Sequence, residues 1–251
     1  MNPLVVVSFL VTIFFEFAVP LTISWWIVRR FHLTWRIFGY GVLFFVIVQV
    51  FHTPLVIFTQ TPILSALGGA ISDRGLVLAI FAIILGLLAG LFEEIGRYLV
   101  FRRFFPSRNI TLTRENGLLF GAGWGGVESM LVGFLVFLTL VSYVSTPFLP
   151  GSPLQNLTPL DPLIGLLERL MTFPIQIAFS LLVASAVLQG RLVFLGLAIL
   201  WHTAVDALAV YLVATTSVAI TEGSVAVSAV IALVYIWYMW PGSGRAKSGE
   251  L

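Results

Sequence analysis

The segment 93–97 carries two carboxylates and one guanidinium within a single helical turn. Glu93 and Arg97 are spaced i,i+4, and Glu94 and Arg97 are spaced i,i+3, so both carboxylates can reach the same arginine. In an apolar region, one carboxylate of such a pair can stay ionised and act as a general base. The structural alternative is an Arg–Glu ion pair that only stabilises a helix end. Such a pair needs one glutamate, and this segment has two.

A second pattern places His202 and Asp206 at i,i+4 spacing, which puts both side chains on one helical face. Such a pair suits metal binding, or a histidine that a carboxylate orients. A histidine in an apolar run is more often a satisfied core residue. The aspartate one turn away favours a functional site over that alternative.

A glycine-rich segment, 121–126, leads into Glu128. Residues 121, 123 and 126 match a dinucleotide-binding pattern, but no strand or βαβ unit precedes them, so we reject that interpretation. The spacing of Gly121 and Gly125 instead predicts close helix packing. Glu128 follows this glycine face, which favours a site role over a structural hydrogen bond.

Four further ionisable residues lie in apolar runs. Glu168 and Arg169 are adjacent, so their side chains point about 100° apart and can pair with different helices. An ion-pair brace explains them as well as a supporting role in a site does. Glu16 and His52 give weaker signals, and we assign neither to the site.

The elements that carry these residues must be membrane helices. Of the 251 residues, 59% are hydrophobic and only 10% are charged, too few charges for the surface of a soluble domain. The net charge of +2 does not indicate nucleic acid as a partner, because the basic residues lie in short breaks between apolar runs. Since the chain has no cysteine, disulfides, thiolate metal sites and cysteine nucleophiles are excluded.

Seven apolar runs are each long enough for a helix to cross a hydrocarbon core of about 30 Å. Lipid offers no partner to unpaired backbone groups, so these runs must be helical. The sequence therefore predicts an all-α, polytopic transmembrane helical bundle with a single domain over 1–240. Its spans cover approximately 3–27, 37–58, 75–101, 117–143, 162–188, 192–218 and 224–240.

Most basic residues flank alternate breaks between the spans, which places the N-terminus outside and the C-terminus in the cytoplasm. We expect an integral protein of a prokaryotic cytoplasmic membrane. The two longer outer connections, 59–74 and 145–161, are rich in Pro, Gly, Ser and Thr and are predicted to be loops or short surface segments. The polar tail 241–251 is predicted to be a disordered cytoplasmic segment.

The spans bring the polar residues to a common depth. At 1.5 Å per residue, Glu93, Glu128 and His202 lie about 13, 20 and 16 Å from the nearest predicted cytoplasmic charge. Ionisable groups at such depth are costly and are by default functional. Four separate spans can therefore direct polar groups at one region.

The ordered set of motifs resembles the YhfC family of intramembrane metalloproteases over about 75–212. The motifs are Glu-Glu-x-x-Arg, a glycine-rich turn into a glutamate, a Glu-Arg pair and His-x-x-x-Asp. The family is similar to the PrsW proteases, the CAAX prenyl endopeptidases and the anterior-pharynx-defective subunit of gamma-secretase. The resemblance implies peptide-bond hydrolysis within the membrane by water that Glu93 or Glu94 activates. The other catalytic residues that it implies are Arg97, Glu128, His202 and Asp206.

This chain carries Trp124 and Gln176 where histidines are common in that family. A zinc site usually has three protein ligands rich in histidine. A divalent metal such as zinc, held by Glu128, His202 and Asp206, is therefore less favoured than a glutamate-activated water. His202, with Gln176 or Trp124, would then donate hydrogen bonds to the oxyanion.

Three functions from different classes remain open. The first is a peptidase that acts on a membrane protein or a lipidated peptide. The second is a non-catalytic scaffold with a protease-like polar core. The third is a proton-coupled transporter, but the chain shows neither related halves nor paired broken helices.

Overall fold

The computed structural model describes residues 2–145 and 153–240. These residues form seven helices that are long and apolar enough to cross a membrane, and no strand occurs in these two ranges. The predicted all-α transmembrane bundle is therefore confirmed. The helices are α1 (Pro3–Phe31), α2 (Trp35–Ala70), α3 (Arg74–Leu99), α4 (Arg114–Ser145), α5 (Leu160–Leu188), α6 (Val193–Thr215) and α7 (Val218–Tyr238).

Helix α2 differs most from its prediction, because it continues through a segment expected to be a loop. It has 36 residues and ends at Ala70, so its length of about 54 Å exceeds the hydrocarbon thickness. The prediction was wrong because Pro62, in the predicted loop, lies inside the helix instead of ending it, as Pro54 does within the predicted span. Thr59 donates its hydroxyl to the Leu55 carbonyl at 2.6 Å, which uses one polar side chain within the helix itself.

Helix α3 passes through a π-helical turn, Val100–Phe104, into a single α-helical turn, Phe105–Ser107. Phe101 and Phe105 are buried in this region and pack against each other and against Phe120 of α4. Single π-helical turns are frequent at functional sites. Here the turn directly follows the Glu-Glu-x-x-Arg motif.

Helix α5 lies at the centre of the bundle and packs against α1, α3, α4, α6 and α7. All of its residues from 175 to 186 are buried, as expected for a helix that is apolar on every side. The predicted packing through Gly121 and Gly125 is confirmed: a Cβ at Gly121 would lie 2.9 Å from the Cα of Ile177, and one at Gly125 would lie 2.8 Å from the Cβ of Gln176. The glycine face thus brings α4 against α5 where the polar residues lie.

Helix α1 is joined to α4 by a side-chain hydrogen bond at a proline. Pro20 has no N–H to donate to the Glu16 carbonyl four residues earlier. Ser129 of α4 donates its hydroxyl to this carbonyl at 3.2 Å. The hydroxyl therefore satisfies a backbone group that the proline leaves unpaired.

The predicted tail, 241–251, and residues 146–152 of the second outer connection lie outside the described residues. The orientation of the termini and the division into one domain stay predictions.

Candidate functional site

Two glutamates and one arginine of α3 form a buried ion-pair group. Arg97 Nη2 lies 3.3 Å from Glu93 Oε2, and Arg97 Nη1 donates to Glu94 Oε1. The side chains of Glu94 and Arg97 are fully buried. The predicted sharing of one guanidinium by both carboxylates is confirmed. Because an unpaired charge is costly in such surroundings, each member of the group depends on the others.

The imidazole of His202 connects α6 to this group. Its Nδ1 lies 2.6 Å from Glu94 Oε1, and its Nε2 lies 3.5 Å from Asp206 Oδ2. The ring of Phe179 stacks on the imidazole at 4.7 Å with an interplanar angle of 13°. The predicted histidine–aspartate pair is present, and a glutamate on another helix holds the second nitrogen. We call Glu93, Glu94, Arg97 and His202 the core cluster.

Two neutral side chains hold the Glu93 carboxylate. Trp124 Nε1 donates to Glu93 Oε2 at 2.9 Å, and Gln49 Nε2 donates to Glu93 Oε1 at 3.0 Å. The Arg97 guanidinium carbon lies 4.3 Å from the centre of the Trp124 ring, within range of a cation–π interaction. Trp124 therefore contacts both charges of the pair. In this structure its N–H is directed at a carboxylate.

A second group of charges lies at the side of the core cluster. Arg169 donates to Glu128 at 2.8 Å and to Glu168 at 2.5 Å. These side chains are partly accessible, with 25% of Glu128 and 40% of Glu168 exposed. We call Glu128, Glu168 and Arg169 the rim cluster.

The amide of Gln176 joins the two clusters. Its Oε1 accepts a hydrogen bond from Arg97 Nη2, and its Nε2 donates to Glu128 Oε2 at 2.7 Å. Gln176 is buried in α5 between the two helices that it connects. One continuous polar network therefore runs from α6 through α3 and α5 to α4.

The structure brings all of the residues predicted for the site into this network. Four helices contribute them, as expected from their common depth, although the chemical role of each residue stays a prediction. The residues are Glu93, Glu94, Arg97, Trp124, Glu128, Glu168, Arg169, Gln176, His202 and Asp206.

The sequence analysis missed Gln49, which contacts Glu93 from α2. Its signal was weak because an uncharged amide costs less in a span than an ionised group. The i,i+3 spacing of Gln49 and His52 could have indicated it, since His52 Nδ1 lies 3.2 Å from Gln49 Oε1. Glu16 is also buried, but among the described residues neither of its carboxylate oxygens has a hydrogen-bond partner, so no hydrogen bond joins it to the network.

Three side chains of the core cluster could hold a divalent cation. Glu93, Glu94 and His202 offer ligand atoms that all lie within 4.8 Å of one another. Carboxylate oxygen and imidazole nitrogen both occur as ligands in catalytic zinc sites. Glu94 Oε2 is buried and has no hydrogen-bond partner within 2–145 and 153–240, so a cation would satisfy it. The donors therefore fit a divalent cation, which would share the carboxylates with Arg97.

The convergent group differs from the ligand set predicted from the sequence. Of that set, only His202 belongs to it. Glu128 is bonded to Arg169 and Gln176 in the rim cluster, and Asp206 faces the far nitrogen of the imidazole. Asp206 is thus placed to orient His202, in the manner of carboxylates that support metal-bound histidines.

Comparison with known proteins accounts for this arrangement of motifs. The model of the YhfC intramembrane metalloprotease family matches residues 15–230, which include every member of both clusters. The chain belongs to the YhfC family. It is also 30% identical over 237 residues to a Bacillus subtilis (strain 168) protein described as "Uncharacterized membrane protein YhfC", with 87% of each chain covered. No solved structure matches.

Membership of the YhfC family agrees with the fold and confirms the predicted resemblance. Seven candidate spans and a bacterial membrane-protein relative indicate an integral protein of a bacterial cell membrane. The family description suggests an intramembrane metalloprotease. The substrate and the chemical steps follow from neither observation.

Proposed function

We propose that this YhfC-family protein hydrolyses peptide bonds of membrane proteins or lipidated peptides, with Glu94 as the base that activates water. The observation that carries the proposal is the state of the two carboxylates. Both oxygens of Glu93 accept hydrogen bonds from Gln49, Trp124 and Arg97, whereas Glu94 Oε2 is buried and has no partner. A general base needs a free oxygen within hydrogen-bond reach of the water proton.

In the proposed reaction, Glu94 Oε2 takes a proton from water while the water oxygen bonds to the carbonyl carbon of the substrate. Arg97 Nε is a second buried atom without a partner, and its N–H is available to the negative oxygen that develops. Glu94 then returns the proton to the amine as the C–N bond breaks. His202 and Arg97 fix Glu94 through its other oxygen.

A divalent cation held by Glu93, Glu94 and His202 would occupy Glu94 Oε2, so it is an alternative to the general base: it would itself polarise the substrate carbonyl and acidify water. Trp124 and Gln176 have a different role in this proposal from the one expected. Their N–H groups are directed at Glu93 and Glu128, so we assign them to positioning the carboxylates instead of binding the oxyanion.

A non-catalytic scaffold is the second candidate. One observation favours it: protein donors already occupy both oxygens of Glu93, and Arg97 lies against both carboxylates, as in a structural lock. A scaffold would retain this network for stability and partner binding alone.

Replacing Glu94 with Gln separates the two candidates, because the amide keeps the shape but cannot accept the proton. We expect Glu94→Gln to lower the rate of cleavage by at least about 100-fold, the lower end of what a general base usually contributes. Cleavage products would be measured by comparing new peptide termini in membranes that carry the native or the variant chain. Glu168→Gln in the rim cluster is the matched control and should leave cleavage within about threefold, since exposed ion pairs contribute little.

Folding of both variants would be checked by thermal unfolding of the purified proteins in detergent. A folded Glu94→Gln variant with an unchanged set of termini would overturn the hydrolase proposal and favour the scaffold. Metal analysis of the purified native chain and of His202→Ala tests the cation separately. Retention of equal metal by both would exclude His202 as a ligand.

A further inference from the structure

We propose that a pocket between the start of α2 and the turn after Phe105–Ser107 binds a phosphate group, carried by an anionic membrane lipid. The pocket has a volume of about 150 Å³, and no residue of the two clusters lines it. Two arginines, two hydroxyl-bearing residues and two isoleucines line it: Thr34, Arg36, Ile37, Tyr40, Arg108 and Ile110.

A rigid turn holds one wall of the pocket. The amides of Arg108 and Ile110 both donate to the Phe105 carbonyl, at 3.0 and 2.9 Å. Asn109 between them has a φ of 56°, in the left-handed region that asparagine tolerates well. The turn therefore fixes the backbone on both sides of Asn109 and aims Arg108 at a defined place.

Aromatic contacts support the same wall. The Arg108 guanidinium carbon lies 5.3 Å from the centre of the Phe104 ring, and the Tyr40 ring packs edge-on against that ring at 5.0 Å. Phe104 therefore contacts both the Arg108 guanidinium, in the connection before α4, and the Tyr40 ring of α2. Such an arrangement limits the rotamer entropy that each side chain would lose on binding a ligand.

The positive charge of the pocket is not neutralised within the described parts of the chain. Neither Arg36 nor Arg108 forms an ion pair with a residue in 2–145 or 153–240. Thr34 precedes α2 without a side-chain cap hydrogen bond, so the helix start adds partial positive charge. One guanidinium group can bind a phosphate through two parallel N–H···O hydrogen bonds. Phosphate is therefore the favoured ligand of the two arginines.

The surroundings favour a lipid as the source of this phosphate. Arg29 and Arg30 end α1 at the same connection, and Arg102 and Arg103 lie on the π-helical turn beside Phe104. Clusters of basic residues at the ends of membrane helices attract anionic headgroups. Trp35 at the start of α2 is exposed, as aromatic residues at the membrane surface commonly are.

Lipid retention by the purified full-length protein tests the proposal. Native mass spectrometry would follow binding of phosphatidylglycerol and of diacylglycerol with the same acyl chains, which lacks the phosphate. We expect phosphatidylglycerol to bind at least tenfold more tightly, and the double variant Arg36→Gln/Arg108→Gln to lose that preference. The matched control, Arg30→Gln/Arg103→Gln, removes the same charge from the same end; it should weaken binding less than the pocket variant does and keep the preference for phosphatidylglycerol over diacylglycerol.

Three further results decide the outcome. Equal weakening by both double variants would overturn the pocket, because attraction to overall charge would then suffice. Displacement of phosphatidylglycerol by millimolar inorganic phosphate would retain the phosphate site but assign it to a soluble ligand. Tyr40→Phe removes only the hydroxyl and keeps the ring against Phe104. If neither this variant nor Arg36→Gln/Arg108→Gln changed the affinity for phosphatidylglycerol, the proposal would also be overturned.

Discussion

The core cluster and the rim cluster each pair one arginine with two glutamates, but in different surroundings. In the core cluster, the side chains of Glu94 and Arg97 are fully buried. They bond to each other one turn apart and to Gln176 and His202 on other helices. In the rim cluster, Arg169 binds two glutamates that are partly exposed. Because low-dielectric surroundings strengthen both attraction and the cost of an unpaired group, equal substitutions should have unequal effects in the two places.

From this difference we expect the two clusters to have separate tasks. The core cluster has fixed geometry and unsatisfied atoms at Glu94 Oε2 and Arg97 Nε, which suits chemistry. The rim cluster is partly exposed, so we expect it to be the part that a substrate chain can contact. Gln176 is bonded to both clusters, so we expect a change at Glu128 to affect Arg97.

Removal of the core arginine is the strongest test of the comparison. Arg97→Met leaves two buried carboxylates without their shared cation, so we expect it to lower the free energy of unfolding by about 3–5 kcal/mol. Unfolding in mixed detergent micelles would measure the loss. The control Arg103→Met removes an exposed arginine from the same helix end and should cost less than about 1 kcal/mol. Equal losses in the two variants would show that burial does not distinguish the clusters.

Cutting the link between the clusters should have an intermediate effect. Gln176→Leu leaves Arg97 and Glu128 each without one hydrogen-bond partner, for an expected loss of about 1–3 kcal/mol. The same unfolding measurement applies, with Gln189→Leu at the end of α5 as a control, because Gln189 Oε1 has no partner to lose. A double-mutant cycle with Glu128→Gln should show coupling, whereas strictly additive losses would contradict the link.

The smallest effect is expected at the exposed edge of the rim cluster. Glu168→Gln removes one of the two carboxylates of Arg169, while Glu128 keeps the other pair, so the free energy of unfolding should change by less than about 1 kcal/mol. Salt screens exposed ion pairs, so this small change should decrease further at high ionic strength. A loss close to that of Arg97→Met would mean that the rim cluster is a buried structural brace.

The sequence was sufficient to predict the ion pairs within a helix and insufficient for the hydrogen bonds between polar side chains on different helices. The pairs of Arg97 with its two glutamates, and of His202 with Asp206, follow from helical spacing alone. The contact between Glu94 and His202 depends on how α3 packs on α6, where small residues such as Gly90 allow close approach to Thr203. No periodicity within one helix carries that information.

Two further errors concern the end of α2 and the contact of Gln49 with Glu93. Composition predicted the number of spans, because lipid forces apolar runs into helices. The prediction failed at the end of α2, where Pro62 lies within the helix although proline usually kinks or ends a helix. Gln49 was missed because a neutral amide stands out little in an apolar run, although it contacts Glu93 directly.

The widened turn at Val100–Phe104 has a consequence for how this end of the protein can change over evolution. Residues four apart on an α-helix drift by about 40°, yet Arg97, Phe101 and Phe105 are all buried, and the π-helical turn offsets that drift. Exchanging one side chain for another would preserve this alignment. Losing a single residue of the turn would rotate the segment that follows it, with Phe105, by about 100° against Glu93, Glu94 and Arg97, so we expect chain length here to tolerate less change than side-chain chemistry.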